Sequence, residues 1–162
     1  MIIAGTGSRS LAFPENEAIF ERVVDTLCMT LEQRAPEGLE IISGGAEGFD
    51  HALALAAFGA NVPCHLFLPS PDYGKWYWQQ HSQTGEDRYS EFEAMVEQAA
   101  SVRYVCAHHH GGRANFIRND AMIEAADKVW VWNPSSSGTK GAVRTAKRLG
   151  RPMFLWTPNR LV

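Results

Sequence analysis

Three short polar segments combine glycines with hydroxyl side chains, a composition that suits the binding of an anion. They are Gly5-Thr6-Gly7-Ser8-Arg9, Ser43-Gly44-Gly45-Ala46-Glu47-Gly48 and Ser135-Ser136-Ser137-Gly138-Thr139. Glycine lets the backbone approach an anion closely, and free N–H groups at the start of a helix carry partial positive charge. Each segment alone also suits a purely structural corner between a strand and a helix, but their joint occurrence favours a phosphate site.

The elements that must position these turns alternate between short apolar runs and longer stretches with apolar residues three and four apart. This alternation is typical of βα units around a parallel sheet. We predict strands at 2–4, 39–42, 62–68, 102–106, 128–132 and 152–156, and helices at 15–33, 89–100, 115–126 and 138–149, with a further helix that ends at Gly59. The fold class is therefore α/β, a Rossmann-like doubly wound sheet of about six mainly parallel strands flanked by helices. All three turns follow strands, so we expect them along the sheet edge where such folds bind ligands.

Two common nucleotide-binding motifs are absent. A GxGxxG pattern that begins at Gly5 has Ser10 in place of its third glycine, and no GxxxxGK[ST] occurs. Ordinary dinucleotide-binding and P-loop NTPase interpretations therefore lose support.

Length and composition predict one folded domain, 1–162. The chain of 162 residues is 45% hydrophobic and 20% charged, which is typical of a globular protein. The net charge of -3 offers no general attraction to nucleic acid, so we expect a small nucleotide-derived molecule as partner instead. No apolar run is long enough to span a bilayer and no signal peptide is recognised, so we expect a cytoplasmic protein without a membrane partner. Three widely spaced cysteines, Cys28, Cys64 and Cys106, fit a reducing compartment.

Two segments resemble a known superfamily. The sequence Ile41-Ile42-Ser43-Gly44-Gly45-Ala46-Glu47-Gly48-Phe49-Asp50 is similar to the SGGA-x-G-x-D turn of DprA-like proteins. Phe116-Ile117-Arg118-Asn119-Asp120-Ala121-Met122, followed by Ser137-Gly138-Thr139-Lys140, resembles the RN…M and GGTK elements of YpsA-like proteins. Both groups belong to the SLOG superfamily, which includes the LOG-type phosphoribohydrolases that release a base from a nucleoside monophosphate. The resemblance covers nearly the whole chain and implies a Rossmann-like binder of nucleotides or nucleotide-derived signals, with homo-oligomers among its relatives.

The resemblance also bears on catalysis. Arg118 stands where LOG-type enzymes carry a catalytic arginine, and a guanidinium there could grip phosphate or stabilise developing charge. The LOG pattern has a glutamate three positions after the threonine of its glycine-rich turn, but here that position is Ala142. N-glycoside cleavage needs a carboxylate. Candidate substitutes are Asp50, Asp120, Glu47 and Glu124.

Three functions remain open at this stage. The first is a binder of a phosphorylated nucleoside derivative, and the second is a nucleoside-monophosphate N-glycosidase with a non-standard carboxylate. The third, DprA-like binding of single-stranded DNA, is disfavoured by the acidic balance of the chain.

Two further segments carry residues that could act on a ligand. Lys75, Trp76 and Trp78 follow the third predicted strand, where a lysine could meet phosphate and an aromatic ring could stack on a base or merely cover the core. The run 108–110 consists of three histidines, but consecutive residues in one loop cannot all face one ion. We interpret this run as a polar loop near Arg113 and Asn115, and predict neither a metal nor a cofactor.

The candidate site residues form two sets. The catalytic candidates are Arg118, Asp50 and Asp120. The ligand-binding candidates are Gly5, Thr6, Gly7, Ser8, Arg9, Ser43, Gly44, Gly45, Ala46, Asp50, Lys75, Trp76, Arg118, Asn119, Ser136, Ser137, Gly138 and Thr139.

Overall fold

A computed structural model describes residues 1–107, 111–134 and 136–158 of the chain. Its strands are β1 (Ile2–Gly7), β2 (Glu40–Ser43), β3 (Cys64–Leu68), β4 (Ser101–Tyr104), β5 (Lys128–Trp132) and β6 (Met153–Trp156). Its α-helices are α1 (Glu17–Arg34), α2 (Phe49–Gly59), α3 (Tyr89–Gln98), α4 (Gly112–Ala125) and α5 (Ser137–Arg148). Short 3₁₀ turns at Arg9–Ala12, Pro14–Asn16 and Ala35–Glu37, and a π-helical turn at Gly74–Gln79, complete the described structure.

The six strands form one sheet in the order β4-β3-β2-β1-β5-β6, and every neighbouring pair is parallel. The predicted α/β fold with a doubly wound sheet of six strands is therefore confirmed. The chain runs outward from β1 through β2 and β3 to β4, then returns to the other side of β1 with β5. This reversal creates a switch point between the carboxyl ends of β1 and β5, where open α/β sheets bind ligands.

Two apolar layers cover the sheet because successive strand residues face opposite sides. In β1, Ile3 belongs to the core beneath α1, α2 and α3, whereas Ala4 belongs to the core beneath α4 and α5. The apolar face of α1 buries Val23, Leu27 and Leu31, which recur every fourth residue as an amphipathic helix requires. The sheet thus lies at the centre of two cores and holds the turns at one edge.

The observed end of β1 differs from the predicted one in an informative way. β1 continues to Gly7, so the first glycine-rich turn begins as strand and only Ser8 and Arg9 leave the sheet. A Cβ at Gly7 would lie 2.5 Å from Cβ of Phe49 and 2.8 Å from that of Trp132, and a Cβ at Gly5 would overlap the Leu53 side chain. These glycines therefore let α2 pack closely on the sheet.

Within the described part of the chain, no helix is both long and apolar enough to cross a bilayer.

Candidate functional site

A cavity of about 450 Å³ opens at the switch point, and we call it the switch-point cavity. Twelve of the candidate residues line it: Thr6, Gly7, Ser8, Arg9, Ala46, Asp50, Arg118, Asn119, Ser136, Ser137, Gly138 and Thr139. Six residues that were not in the candidate set complete the lining: Ser10, Phe13, Gln83, Gly112, Asn115 and Phe116. The cavity volume lies in the range typical of small-molecule sites.

The first turn of α5 forms one wall of this cavity. Ser136 is the N-cap, and its hydroxyl accepts a hydrogen bond from the Thr139 amide at 3.2 Å and lies 2.8 Å from the Thr139 hydroxyl. The Ser137 and Gly138 amides have no partner within the helix, because the first N–H groups of an α-helix are left without one. These amides and the helix dipole make this wall suited to an anion.

The segment after β1 forms the opposite wall. The Ser8 amide donates to the Trp132 carbonyl at 3.3 Å, which fixes the exit of β1 beside the end of β5. The Ser8 hydroxyl then accepts from the Ser10 amide at 3.1 Å and lies 2.7 Å from the Ser10 hydroxyl. Arg9 places its guanidinium carbon 4.4 Å from the centre of the Tyr77 ring, which is a cation–π geometry. This wall therefore contributes the Arg9 guanidinium, positioned by Tyr77, and the hydroxyls of Ser8 and Ser10.

Arg118 and Asp50 meet at Gly44 on the inner side of the cavity. Arg118 is 3% exposed, donates from Nη1 to the Gly44 carbonyl, and donates from Nε to Oδ1 of Asn119 at 2.8 Å. The Asn119 amide group in turn donates to the Gly138 carbonyl at 3.5 Å. This chain of hydrogen bonds links the second glycine-rich turn to the start of α5.

Asp50 is a buried carboxyl at the start of α2. Its Oδ2 accepts a long hydrogen bond of 3.5 Å from the Ala46 amide. Burial raises the pKa of Asp50, while the positive charges of Arg118 and Arg9 and the Ala46 amide partly offset the rise. A carboxyl with a raised pKa that faces a cavity is chemically suited to exchange a proton with a bound molecule.

The second glycine-rich turn is held by hydrogen bonds within itself and to Asp50 and Trp78. The Ser43 hydroxyl donates to the Asp50 carbonyl at 2.8 Å and accepts from the Gly45 amide at 3.2 Å, and the Gly45 carbonyl accepts from Trp78 Nε1 at 2.9 Å. Gly45 has a φ of 67°. Of the turn 43–48, only Ala46 lines the cavity.

The other candidates lie away from the cavity. Lys75 is exposed on the π-helical turn, and the Trp76 ring packs 4.8 Å from that of His81. The Asp120 carboxylate accepts from the Thr145 hydroxyl at 2.6 Å and ties α4 to α5. Glu124 is exposed on α4.

Glu47 is buried and holds the segment after β3 in place. Its Oε2 lies 2.5 Å from Arg88 Nη1, and its Oε1 accepts from the Gln83 amide at 2.9 Å. Gln83 is thereby brought to the cavity, although no local pattern marks it as a ligand residue. Phe116, by contrast, lies two residues before Arg118 in the motif that resembles YpsA-like proteins.

Among the residues that the structure describes, no group of three or more His, Cys, Asp or Glu side chains is arranged to hold a metal ion. The histidine run 108–110 lies outside the described residues.

The parallel sheet and its switch-point cavity define an α/β protein of the Rossmann-like class. No family model and no curated protein sequence matches the chain. Among solved structures, it is similar to the DNA processing protein A of Helicobacter pylori, described for its single-stranded DNA binding mode (TM-score 0.65, 19% identity, 96% of this chain and 64% of that one). It is also similar to the structural genomics target TM1055 (TM-score 0.62, 15% identity, 94% of this chain and 71% of that one).

A third similar structure is the DNA processing protein A of Streptococcus pneumoniae, with a TM-score of 0.65 and 18% identity over 94% of this chain and 49% of that one. The chain thus spans 64% of the length of one DNA processing protein and 49% of the other. These similarities show that the chain shares its parallel α/β fold with the three solved structures.

Proposed function

We propose that the protein binds a nucleotide or a nucleotide-derived phosphorylated molecule in the switch-point cavity. The observation that carries this proposal is the start of α5, where Ser137 and Gly138, whose amides have no partner within the helix, line a cavity that Arg9 and Arg118 also line. The cavity lining contains the two cations Arg9 and Arg118 but only one carboxyl, Asp50, whose pKa is raised. This balance of charges favours the binding of an anion. Phosphate at a helix start is the arrangement that such geometry suits best.

Two aromatic rings support a base-bearing ligand. Phe13 and Phe116 both line the cavity, and Phe116 is 40% exposed. An exposed aromatic ring at the edge of a polar cavity offers a face on which a base can stack. The side-chain amides of Gln83 and Asn115 add donors and acceptors that match the edges of a base.

Ser137→Asp tests the phosphate half of the proposal. A carboxylate at the first helical position interacts favourably with the helix dipole, so the melting temperature is maintained or raised. The same carboxylate repels a bound phosphate, so we expect the affinity for nucleoside monophosphates to fall about tenfold or more while Ser137→Asn retains most of it. Titration calorimetry with monophosphates and with the matching nucleosides measures the affinities, and thermal unfolding measures the melting temperatures. Equal affinity of Ser137→Asp and wild type for the monophosphates contradicts the proposal.

An N-glycosidase is the second candidate, and Asp50 favours it. The buried carboxyl of Asp50 lies near Arg118 and lines the cavity, whereas Ala142 offers no carboxylate. Incubation with nucleoside monophosphates, followed by chromatography for free base, tests this activity. Base release that Asp50→Asn abolishes, with ligand binding retained, supports the enzyme; unchanged ligand supports the binder.

Binding of single-stranded DNA is a further candidate, because DNA processing protein A of Helicobacter pylori binds it and has a similar fold. The net charge of -3 disfavours the polyanionic DNA and therefore favours a single nucleotide as the ligand. A salt-dependent gel shift with a short oligonucleotide, competed by excess monophosphate, would favour DNA as the ligand of this cavity.

A further inference from the structure

A second cavity of about 450 Å³ lies between α1 and the segment 84–91, and we call it the acidic groove. Its floor is apolar and contains Leu11, Phe13 and Phe20. Its rim carries the carboxylates of Glu17, Glu21 and Glu86. An apolar floor with an acidic rim suits a partner that combines long aliphatic stems with cationic ends.

Three of the carboxylates that line this groove, those of Glu17, Glu21 and Glu86, have no ion-pair partner among the described residues. Arg88 also lines the groove, but it is already engaged by Glu47 at 2.5 Å and by Glu91 at 2.6 Å. None of the described residues forms an ion pair with Glu17, Glu21 or Glu86, so the groove keeps a net negative charge.

The exposed carboxylates continue along α1 beyond the groove. Glu17, Glu21 and Asp25 follow one another at intervals of four residues, and all three are exposed. Residues four apart lie on one face of a helix. The groove therefore opens onto a longer acidic stripe.

The outer face of α5 has the opposite character. Lys140, Arg144, Lys147 and Arg148 are exposed and recur at intervals of three and four, so they form one cationic stripe. The helix contains no acidic residue, and none of the described residues forms an ion pair with this stripe. A cationic helix of this kind matches the acidic groove in charge.

The two surfaces cannot meet within one molecule. The helix α1 covers one side of the sheet, and α5 covers the other. We propose that the acidic groove of one copy binds the cationic α5 stripe of a second copy. The contact joins two different surfaces, so it is heterologous and leaves one groove and one stripe free for further copies. This inference does not depend on what the switch-point cavity binds.

A charge-swap experiment with the full chain tests the interface. The first variant is Glu17→Lys with Glu21→Lys, and the second is Lys140→Glu with Arg144→Glu. Each variant alone carries two surfaces of the same sign, so we expect each to sediment as a monomer. An equimolar mixture restores opposite charges at every contact, so we expect it to assemble again.

Sedimentation velocity measures these outcomes over a range of protein concentrations. Wild type should form larger species at about 0.01 M salt and dissociate at about 1 M, where the Debye length falls from roughly 30 Å to 3 Å. The matched control is Glu93→Lys with Glu97→Lys, which makes the same charge change at exposed positions of α3 outside the groove and should assemble as wild type does.

Two results overturn the inference. One is a wild-type protein that stays monomeric at low salt, and the other is assembly of the Glu17→Lys, Glu21→Lys variant on its own. If the wild type is monomeric and its α5 stripe binds a short oligonucleotide, with loss of that binding in the Lys140→Glu, Arg144→Glu variant, the partner of the stripe is a nucleic acid and not a second copy. All substituted side chains are exposed, and unchanged melting temperatures of the variants verify that they fold.

Discussion

Gly44 lies between the buried Arg118 guanidinium and the buried Asp50 carboxyl. The second glycine-rich turn therefore needs a glycine at this position for a reason other than phosphate binding. A Cβ at position 44 would lie 2.5 Å from Arg118 Nη1 and 2.6 Å from Asp50 Oδ2. The absence of a side chain lets both groups approach the same point of the backbone, so glycine here serves the site indirectly.

The first prediction concerns this position. Gly44→Ala forces Arg118 or Asp50 to move, and overpacking of this kind costs about 1–3 kcal/mol of unfolding free energy. Ligand affinity should fall with it, because Arg118 also connects to α5 through Asn119. Urea unfolding and titration calorimetry measure the two effects. The control is Gly111→Ser, because an added Cβ there meets nothing within 4 Å and serine is favoured at this N-cap of α4, so stability should change little. Equal effects of both variants would contradict this account.

The second residue-scale prediction concerns His51, a buried ring between Phe20 and Trp78. Burial is the main cause, and with the positive charge of Arg88 and against the opposing charge of Glu91 it lowers the pKa of His51 to about 4. In the unfolded chain the His51 ring binds a proton below about pH 6.5, whereas in the folded protein it binds one only below about pH 4. The free energy of unfolding therefore falls as the pH falls through this window. The loss amounts to about 3 kcal/mol.

His51→Phe should remove this dependence, because phenylalanine keeps an aromatic ring and His51 Nδ1 has no hydrogen-bond partner among the described residues. Asp50 acts in the opposite direction: its raised pKa makes the folded state bind a proton more readily, so its contribution grows as the pH falls. The difference between variant and wild type isolates His51. Parallel stability curves of the two proteins from pH 7 to pH 4 would refute the assignment.

Part of the site could be predicted from residue types alone. The N-cap and glycine pattern at the start of α5 is local, so the sequence predicts a ligand-binding turn there, and the structure places Ser136–Thr139 in the cavity lining. Gln83 escaped prediction because it reaches the cavity only through the long-range contact of its amide with Glu47. Lys75 and Trp76 are candidates because they follow β3, but they lie on the π-helical turn and are not part of the cavity lining.

At the scale of elements, the buried pair of Glu47 and Arg88 connects the second glycine-rich turn to the segment before α3. Glu47 is fully buried, and the Arg88 guanidinium lies 5.1 Å from the centre of the Trp78 ring. The hydrophobic pattern predicted α3 from residue 89 onward, and its start is confirmed. It could not predict how the preceding irregular segment folds, since that depends on a carboxylate far away in sequence.

The third prediction tests this connection. Arg88→Met leaves Glu47 buried without its cation, which typically costs about 3–5 kcal/mol. Hydrogen exchange should show lost protection at the Gln83 amide, and the affinity for the ligand should fall with it. The matched control is Glu91→Gln, which removes the charge of the other ion-pair partner of Arg88. The Glu91 side chain is 46% exposed, so this substitution should cost less than about 1 kcal/mol of unfolding free energy. Similar costs for the two variants would show that the buried pair does not anchor the segment.

At the scale of the whole molecule, the order of the strands decides which turns meet. The βα alternation predicts parallel strands, but it does not specify that β5 returns beside β1 rather than beyond β4. That choice places Ser8 next to Trp132 and brings α5 to the first turn. The convergence of the turns was therefore expected from the fold class, while the exclusion of Gly44 and Gly45 from the cavity surface required the structure.

The last prediction is that the chain unfolds as one cooperative unit, as expected for a single domain. β1 and β2 supply adjacent residues to opposite cores, for example Ile41 to one and Ile42 to the other, so neither helical layer can leave without disrupting the shared sheet. Leu53→Ala in one core and Ile123→Ala in the other should each lower stability by about 2–5 kcal/mol. Both should shift a single transition that far-UV circular dichroism and tryptophan fluorescence report together.

Met29→Ala is the control for these core substitutions. The Met29 side chain is 62% exposed, so its truncation should change stability by no more than about 0.5 kcal/mol. If a variant gave different midpoints by circular dichroism and by fluorescence, the two layers would unfold independently. That result would contradict the prediction, because both cores are built on the same central strands.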